Sequence, residues 1–445
     1  MNARHVSART LSLSALALAI TGAVLYAGPL DPPAGPVSST YKTLNEVEPR
    51  IAINAANTPG DPLADPTPSV FKISQPGSYY LTGNISGVAG MNAIEIDASN
   101  VTLDLMGFRV LGVIGSLNGI LVNGTETNLT IRNGSVRSFG GDGLSGLNGD
   151  SMRVIDFTAR NCTGRGVGVG EGCTVTNVIA DSNSGDGIKS LLGSTLTGCV
   201  SRNNGGDGIN VDFYASITNC TSTANTGDGF NVGAACLVTS SLAYGNGDDG
   251  FATLNSGTFT SCQAFSNTGD GFDSQGGGCV ITSCTTKSNN GYGVRAGADS
   301  TITHCAASLN LLSGISVGAG SVVGSSSSSA NTADGIRVAS DCVVLSNTCS
   351  GNGFNGSGAG IHATSSDNRI EGNNCTGADR GIDVDVAGNI VIRNTCSGNG
   401  TNWVIAANNV CGPIFDRTAP VSAAINGDSA PDSTSNINPN ANFTY

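Results

Sequence analysis

The residues of this 445-residue chain best suited to chemistry stand in two files, both set by one recurring glycine. That glycine falls at 119, 143, 166, 187, 208, 229, 250, 271, 293, 314, 335, 360 and 381, most often 21 residues apart. Two residues after it come Lys189, Asn210, Asn231, Ala252, Asp273, Arg295, Ser316, Arg337, His362 and Asp383. The file is neutral from Asn210 to Ala252 and carries its charge from Asp273 onward. Arg337, His362 and Asp383 fall on successive repeats, and such a row can abstract a proton and stabilise the anion that forms. We expect the catalytic groups here, with Asp273, Arg295 and Lys189 extending substrate contacts along the file. The bland alternative is solvated charge on a sheet surface.

The second file is the residue before the glycine: Asp142, Asp186, Asp207, Asp228, Asp249, Asp270 and Asp334. Stacked one repeat apart, these carboxylates lie about 4.8 Å from one another, and like charges that close repel. Calcium would relieve the repulsion, because it prefers several carboxylate and carbonyl oxygens. Otherwise each Asp bonds turn N–H groups and faces water. No other cofactor is expected, and no metal ligand set is assigned in the first file.

The elements that carry both files follow from the repeat. The residue after the glycine is apolar (Ile188, Ile209, Phe230, Phe251, Phe272, Val294, Ile315, Ile336, Ile361, Ile382), and so is the residue twelve before it, from Val175 to Val323. Apolar spacing within a repeat is two, in short runs broken by Gly, Asn, Asp and Ser, which reads as strand and turn with no helical period. About 21 residues hold three short strands, so the columns must stack in register along parallel sheets. Four before the glycine stands an asparagine, from Asn183 to Asn331 in eight repeats. Asn suits a left-handed corner, and stacked amides can donate to one another. The step from 335 to 360 is 25 residues and adds a loop, Gly351 to Gly358, beside Arg337 and His362.

With these columns the chain resembles the right-handed parallel β-helix repeat proteins of the broad pectate-lyase-like superfamily, over roughly residues 90 to 410. The resemblance implies an all-β, single-domain solenoid of about 13–14 rungs. That superfamily contains lyases, hydrolases, epimerases, adhesins and phage spikes, so fold alone does not choose a function. Its pectin hydrolases carry NTD, paired-Asp, GHG and RIK-like motifs. Here only Asp248-Asp249 is a paired Asp, and it doubles as part of a turn. The expectation is a polysaccharide or cell-surface glycan engaged on a sheet face, by a lyase, hydrolase or epimerase. The competing class is a non-catalytic surface, adhesin or matrix protein.

Composition sets further bounds. Residues 1–27 read as a signal peptide, with Arg4 and Arg9 before an apolar stretch, and no later segment reads as a membrane span. Residues 28–40 are a Pro-rich linker, 41–90 an N-terminal cap, 91–411 the β-helix and 412–445 a polar C-terminal tail or cap. The expected protein is secreted, extracellular, cell-surface or periplasmic, and monomeric. Losing the leader takes the net charge from −13 to −15. That excludes nucleic acid as a partner and disfavours a polyanionic glycan unless a cation or a basic patch intervenes. All 14 cysteines lie between Cys162 and Cys411. Cys199, Cys220, Cys262, Cys284 and Cys305 share one inward column, where parallel side chains run alongside each other, so free buried thiols are expected.

Overall fold

Each repeat closes one coil of three short strands, and each strand pairs in parallel with its counterpart one coil on. The computed structural model describes residues 48–353, 356–416 and 438–445. From Arg50 onward these form one compact unit. The expected signal peptide and linker, and residues 41–47, lie outside the described residues.

In one representative coil the strands are Ile188–Ser190, Thr195–Thr197 and Val200–Arg202. The first belongs to a ladder of 16 strands running from Ser69–Ile73 to Thr401–Ile405. The other two strands of each coil stack into ladders of their own. These merge where the eight-residue strands Thr130–Arg137 and Arg153–Arg160 run through both. No described residue is α-helical, and the chain is the expected right-handed parallel β-helix. It has 16 coils where 13–14 were expected, because strands Ser69–Ile73, Asn92–Ile96 and Thr401–Ile405 add coils outside the glycine repeats.

Register follows the glycine. Ile188 lies opposite Ile209, Ile209 opposite Phe230, and Phe251 between Phe230 and Phe272, all fully buried. The phenylalanines stack at 4.7 Å between ring centroids, tilted by only 9° and 7°, while Phe259 meets Phe251 and Phe272 edge-on. The glycine is required by close approach. A Cβ on Gly208 would stand 1.8 Å from Ser222 Oγ and 2.5 Å from Asn225 Nδ2.

The buried asparagines form the expected ladder. Asn204 Nδ2 donates to Asn225 Oδ1 (2.9 Å), Asn225 to Asn246 (3.0 Å), and Asn246 to Asn267 (3.0 Å). Asn331 passes it to Asn352, a ninth member at the start of the inserted loop. The ladder residues are not themselves left-handed. The preceding residues are: Ser182 (φ 59°), Asn203 (55°), Ala224 (54°), Ser266 (56°) and Leu309 (57°). The bend is thus made one residue early, which leaves the ladder amide free to point inward.

All 14 cysteines are free, 13 of them buried, with Cys411 exposed. Beyond the expected column, Cys349, Cys375 and Cys396 lie in register on consecutive coils.

The ends add strands to the stack. Within 41–90, strands Ile51–Ala52, Ser69–Ile73, Gly77–Tyr80 and Ile85–Ser86 already pair with the coils that follow. The stretch 54–68 crosses the outer edge of the first ladder through an antiparallel bridge between Pro59 and Phe71. At the far end, strand Asn442–Thr444 returns to pair beside Thr395–Ser397, and Trp403 Nε1 donates to Thr444 Oγ1 at 2.7 Å. Residues 417–437 lie outside the described residues.

Candidate functional site

The first ladder positions the charged file. Its register joins Asp273 to Arg295, Arg295 to Ser316, Ser316 to Arg337, Arg337 to His362 and His362 to Asp383. Six coils therefore carry one continuous row. Lys189 stands apart, separated from it by Asn210, Asn231 and Ala252, and its Nζ pairs with Asn210 and Asp212. The gap at Ala252 opens a depression of about 290 Å³ lined by Asp228, Asn231, Thr253, Asp273 and Gln275. Arg295 lies over the Tyr292 ring at 5.5 Å, a cation–π contact that fixes its guanidinium on the face.

The row is not uniformly solvated, contrary to the expectation for an outward column. The Arg337 side chain is 47% exposed, that of His362 13%, and Asp383 is buried at 2%. His362 Nδ1–H donates to Asp334 Oδ2 at 3.0 Å. On the other side Nε2 lies 3.1 Å from Asp385 Oδ2 and 3.7 Å from Asp383 Oδ2. Arg337 Nη1 stands 3.8 Å from Asp334 Oδ2, so the arginine and the histidine share that buried carboxylate. Arg380 Nη1 reaches Asp383 at 2.9 Å, and its Nη2 donates to the Ser357 carbonyl at 2.6 Å. Asp379 accepts from Gly358 N, and Asp334 Oδ1 from Ala359 N. The inserted loop is thereby fastened at its end to the same cluster.

Burial alone would lower the His362 pKa, but bonds and charge from Asp334 and Asp385 outweigh it and hold the pKa above the ordinary imidazole value. Burial raises the Asp383 carboxyl, against the pull of Arg380 and His362. Sequence reasoning missed Asp385, Arg380 and the meeting of Asp334 with His362. Asp385 was visible as the next member of period two after Asp383 in the string IDVDV.

The turn aspartates make the hydrogen bonds of the bland reading, directed to the next coil. Asp207 Oδ1 accepts from Asp228 N (2.9 Å), Asp228 from Asp249 N (3.0 Å) and Asp249 from Asp270 N (2.6 Å). Asp228, Asp248 and Asp249 bring oxygens within 4.8 Å of one another. Burial first, and neighbouring carboxylates second, push Asp228 and Asp249 up to about 7 and Asp270 to about 6. A carboxyl whose folded pKa exceeds its unfolded value of about 3.9 adds stability below that value, lost as pH rises through the folded pKa. Asp249→Asn keeps the acceptor for Asp270 N and removes the charge. Its gain in melting temperature over the native chain should therefore be small at pH 4, grow up to about pH 7, and stay level above. An equal gain at every pH would show that Asp249 is ionised throughout.

Residues 118–263 and 168–305 match a family model described as the right handed beta helix region. No curated protein matches the chain in sequence. Among solved structures, the A-module of the mannuronan C-5 epimerase AlgE4 of Azotobacter vinelandii is 16% identical, over 76% of this chain and 90% of its own, with a TM-score of 0.33. The periplasmic alginate epimerase AlgG is 13% identical over 66% of this chain and 74% of its own, at 0.40. Tailspike protein 3 of bacteriophage CBA120 is 13% identical over 94% and 72%, at 0.37. At these scores the likenesses carry no argument about this chain.

Proposed function

We propose that this is an exported, monomeric β-helix protein that engages a polysaccharide along its first ladder and acts on it at the coils of Arg337, His362 and Asp383. The observation that carries the reading is His362, held between carboxylates of the coil before it and the coil after it, with the exposed Arg337 guanidinium beside it. This fixes the Arg337 guanidinium and the His362 imidazole on adjacent coils, in a face that water reaches only from one side. Fixed positive charge is what an enolate-like anion needs when a proton leaves the carbon next to a uronate carboxylate. A lyase or an epimerase forms that anion. Arg295 and Arg337, on either side of Ser316, supply the basic patch that an acidic glycan requires on a chain of net charge −13. Asp273 borders the depression at Ala252 and extends the contact surface.

The test is a panel of neutral and acidic polysaccharides, read for binding, reducing ends, unsaturated products and inversion. Arg337→Ala removes an exposed side chain and should leave the fold intact. It should weaken engagement by about 10- to 100-fold, the weight of one or two charge-assisted hydrogen bonds. His362→Ala should abolish turnover. Full turnover in both His362→Ala and Asp383→Ala would sink the reading. Binding without any product would favour a non-catalytic surface protein, a reading supported by the neutral stretch Asn210, Asn231 and Ala252 on the same ladder.

A further inference from the structure

We propose that His362 Nε2, Asp383 Oδ2 and Asp385 Oδ2 form a site for a divalent cation of the zinc class at this end of the first ladder. Asp334, 6% exposed at its side chain, accepts a hydrogen bond from Nδ1–H at 3.0 Å, which turns Nε2 toward Asp385 and Asp383. A carboxylate behind a ligating histidine is the usual way a protein fixes the tautomer of a metal ligand. A bare Nε2 lone pair facing two carboxylate oxygens is repulsive, and either a proton on Nε2 or a metal ion relieves it. A proton on Nε2 would bond Asp385 at 3.1 Å but leave Asp383 Oδ2, 3.7 Å away, without a hydrogen bond. That oxygen is buried and has no hydrogen-bond partner, since Arg380 Nη1, although 2.9 Å away, lies outside hydrogen-bond geometry.

A divalent ion would serve all three atoms. Zinc bonds of about 2.0–2.1 Å place tetrahedral ligand atoms roughly 3.3–3.5 Å apart. The two separations from Nε2 bracket that range, and the three residues offer atoms within 4.8 Å of one another. One nitrogen with two carboxylates suits zinc or another first-row ion better than calcium, which prefers oxygen alone. Asp385 is 48% exposed, so the fourth position opens toward the face assigned to the glycan. The cation would strengthen the positive pole in the function proposed above. It deepens that reading but is measured without any glycan.

The experiment is calorimetric titration of the chelator-stripped full chain with Zn²⁺ at pH 7.5, paralleled by Co²⁺ absorption and by Ca²⁺. The expected result is a zinc equivalent that Ca²⁺ does not displace and that gives a tetrahedral cobalt spectrum. Asp385→Asn, a change at an exposed side chain, should weaken it at least tenfold, as should Asp334→Asn through loss of the outer support. Asp249→Asn, in the distant turn row, should leave it unchanged. Absence of zinc binding overturns the proposal, and so does zinc binding that Asp385→Asn leaves intact. A negative glycan panel beside a positive titration would remove the polysaccharide reading and keep the metal site.

Discussion

Truncating Phe251 to alanine is expected to cost about 3–5 kcal/mol, the usual range for a fully buried phenylalanine. The ring fills the middle of a stack, with Phe230 and Phe272 parallel to it at 4.7 Å and Phe259 at its edge at 5.8 Å. Relaxation into the void is limited, because all three neighbours hang from strands fixed in parallel register. Urea unfolding of the variant should show the loss as an earlier midpoint. Amide exchange should place it in the coils from Phe230 to Phe272, since a solenoid coil touches mainly its neighbours. An unchanged midpoint with unchanged exchange would mean that the stack carries no stability.

The columns that made the fold legible are those with a strict period. Ile188 to Ile382 could be aligned from the glycine alone, and the structure pairs them residue for residue. What escaped was anything that depended on a side chain's reach. Asp383 sits in an outward column, so period alone makes it exposed. It is buried because Arg380, three residues back, and His362, one coil back, close over it. The second asparagine ladder, Asn347 to Asn373 to Asn394 to Asn442, was hidden for another reason. Of its steps of 26, 21 and 48 residues, two break the period, the first across the inserted loop and the last across residues 417–437. The cysteines were readable as free because inward neighbours on parallel coils run alongside each other. Cys349, Cys375 and Cys396 were missed as a stack because that column holds alanine, serine and threonine elsewhere.

Asn246→Ala should cost about 2–4 kcal/mol although it deletes only a small polar group. Asn246 is 1% exposed, and its Oδ1 accepts from both the backbone N and the Nδ2 of Asn225, at 3.1 and 3.0 Å. Its own Nδ2 donates to Asn267 Oδ1 and to the Ser222 carbonyl. With the amide gone, Asn225 N has no acceptor, and one buried unsatisfied donor costs about 1–3 kcal/mol. Asn225 Nδ2 keeps Ser222 Oγ and the Ser201 carbonyl, so its loss is smaller. The ladder also has a direction, since every amide accepts from the preceding coil and donates to the following one. Asn246→Asp keeps the acceptor for Asn225 but presents a carboxylate oxygen to Asn267 Oδ1. Protonation would restore a donor there, so the buried acid should hold its proton well above the ordinary carboxylate range. A raised folded pKa gives stability that is present at low pH and lost as pH rises. Asn246→Asp should therefore approach the native melting temperature near pH 4 and fall below Asn246→Ala at pH 8. If the two variants kept the same order at both pH values, the amides would be acting as space-fillers and not as a directed chain of hydrogen bonds.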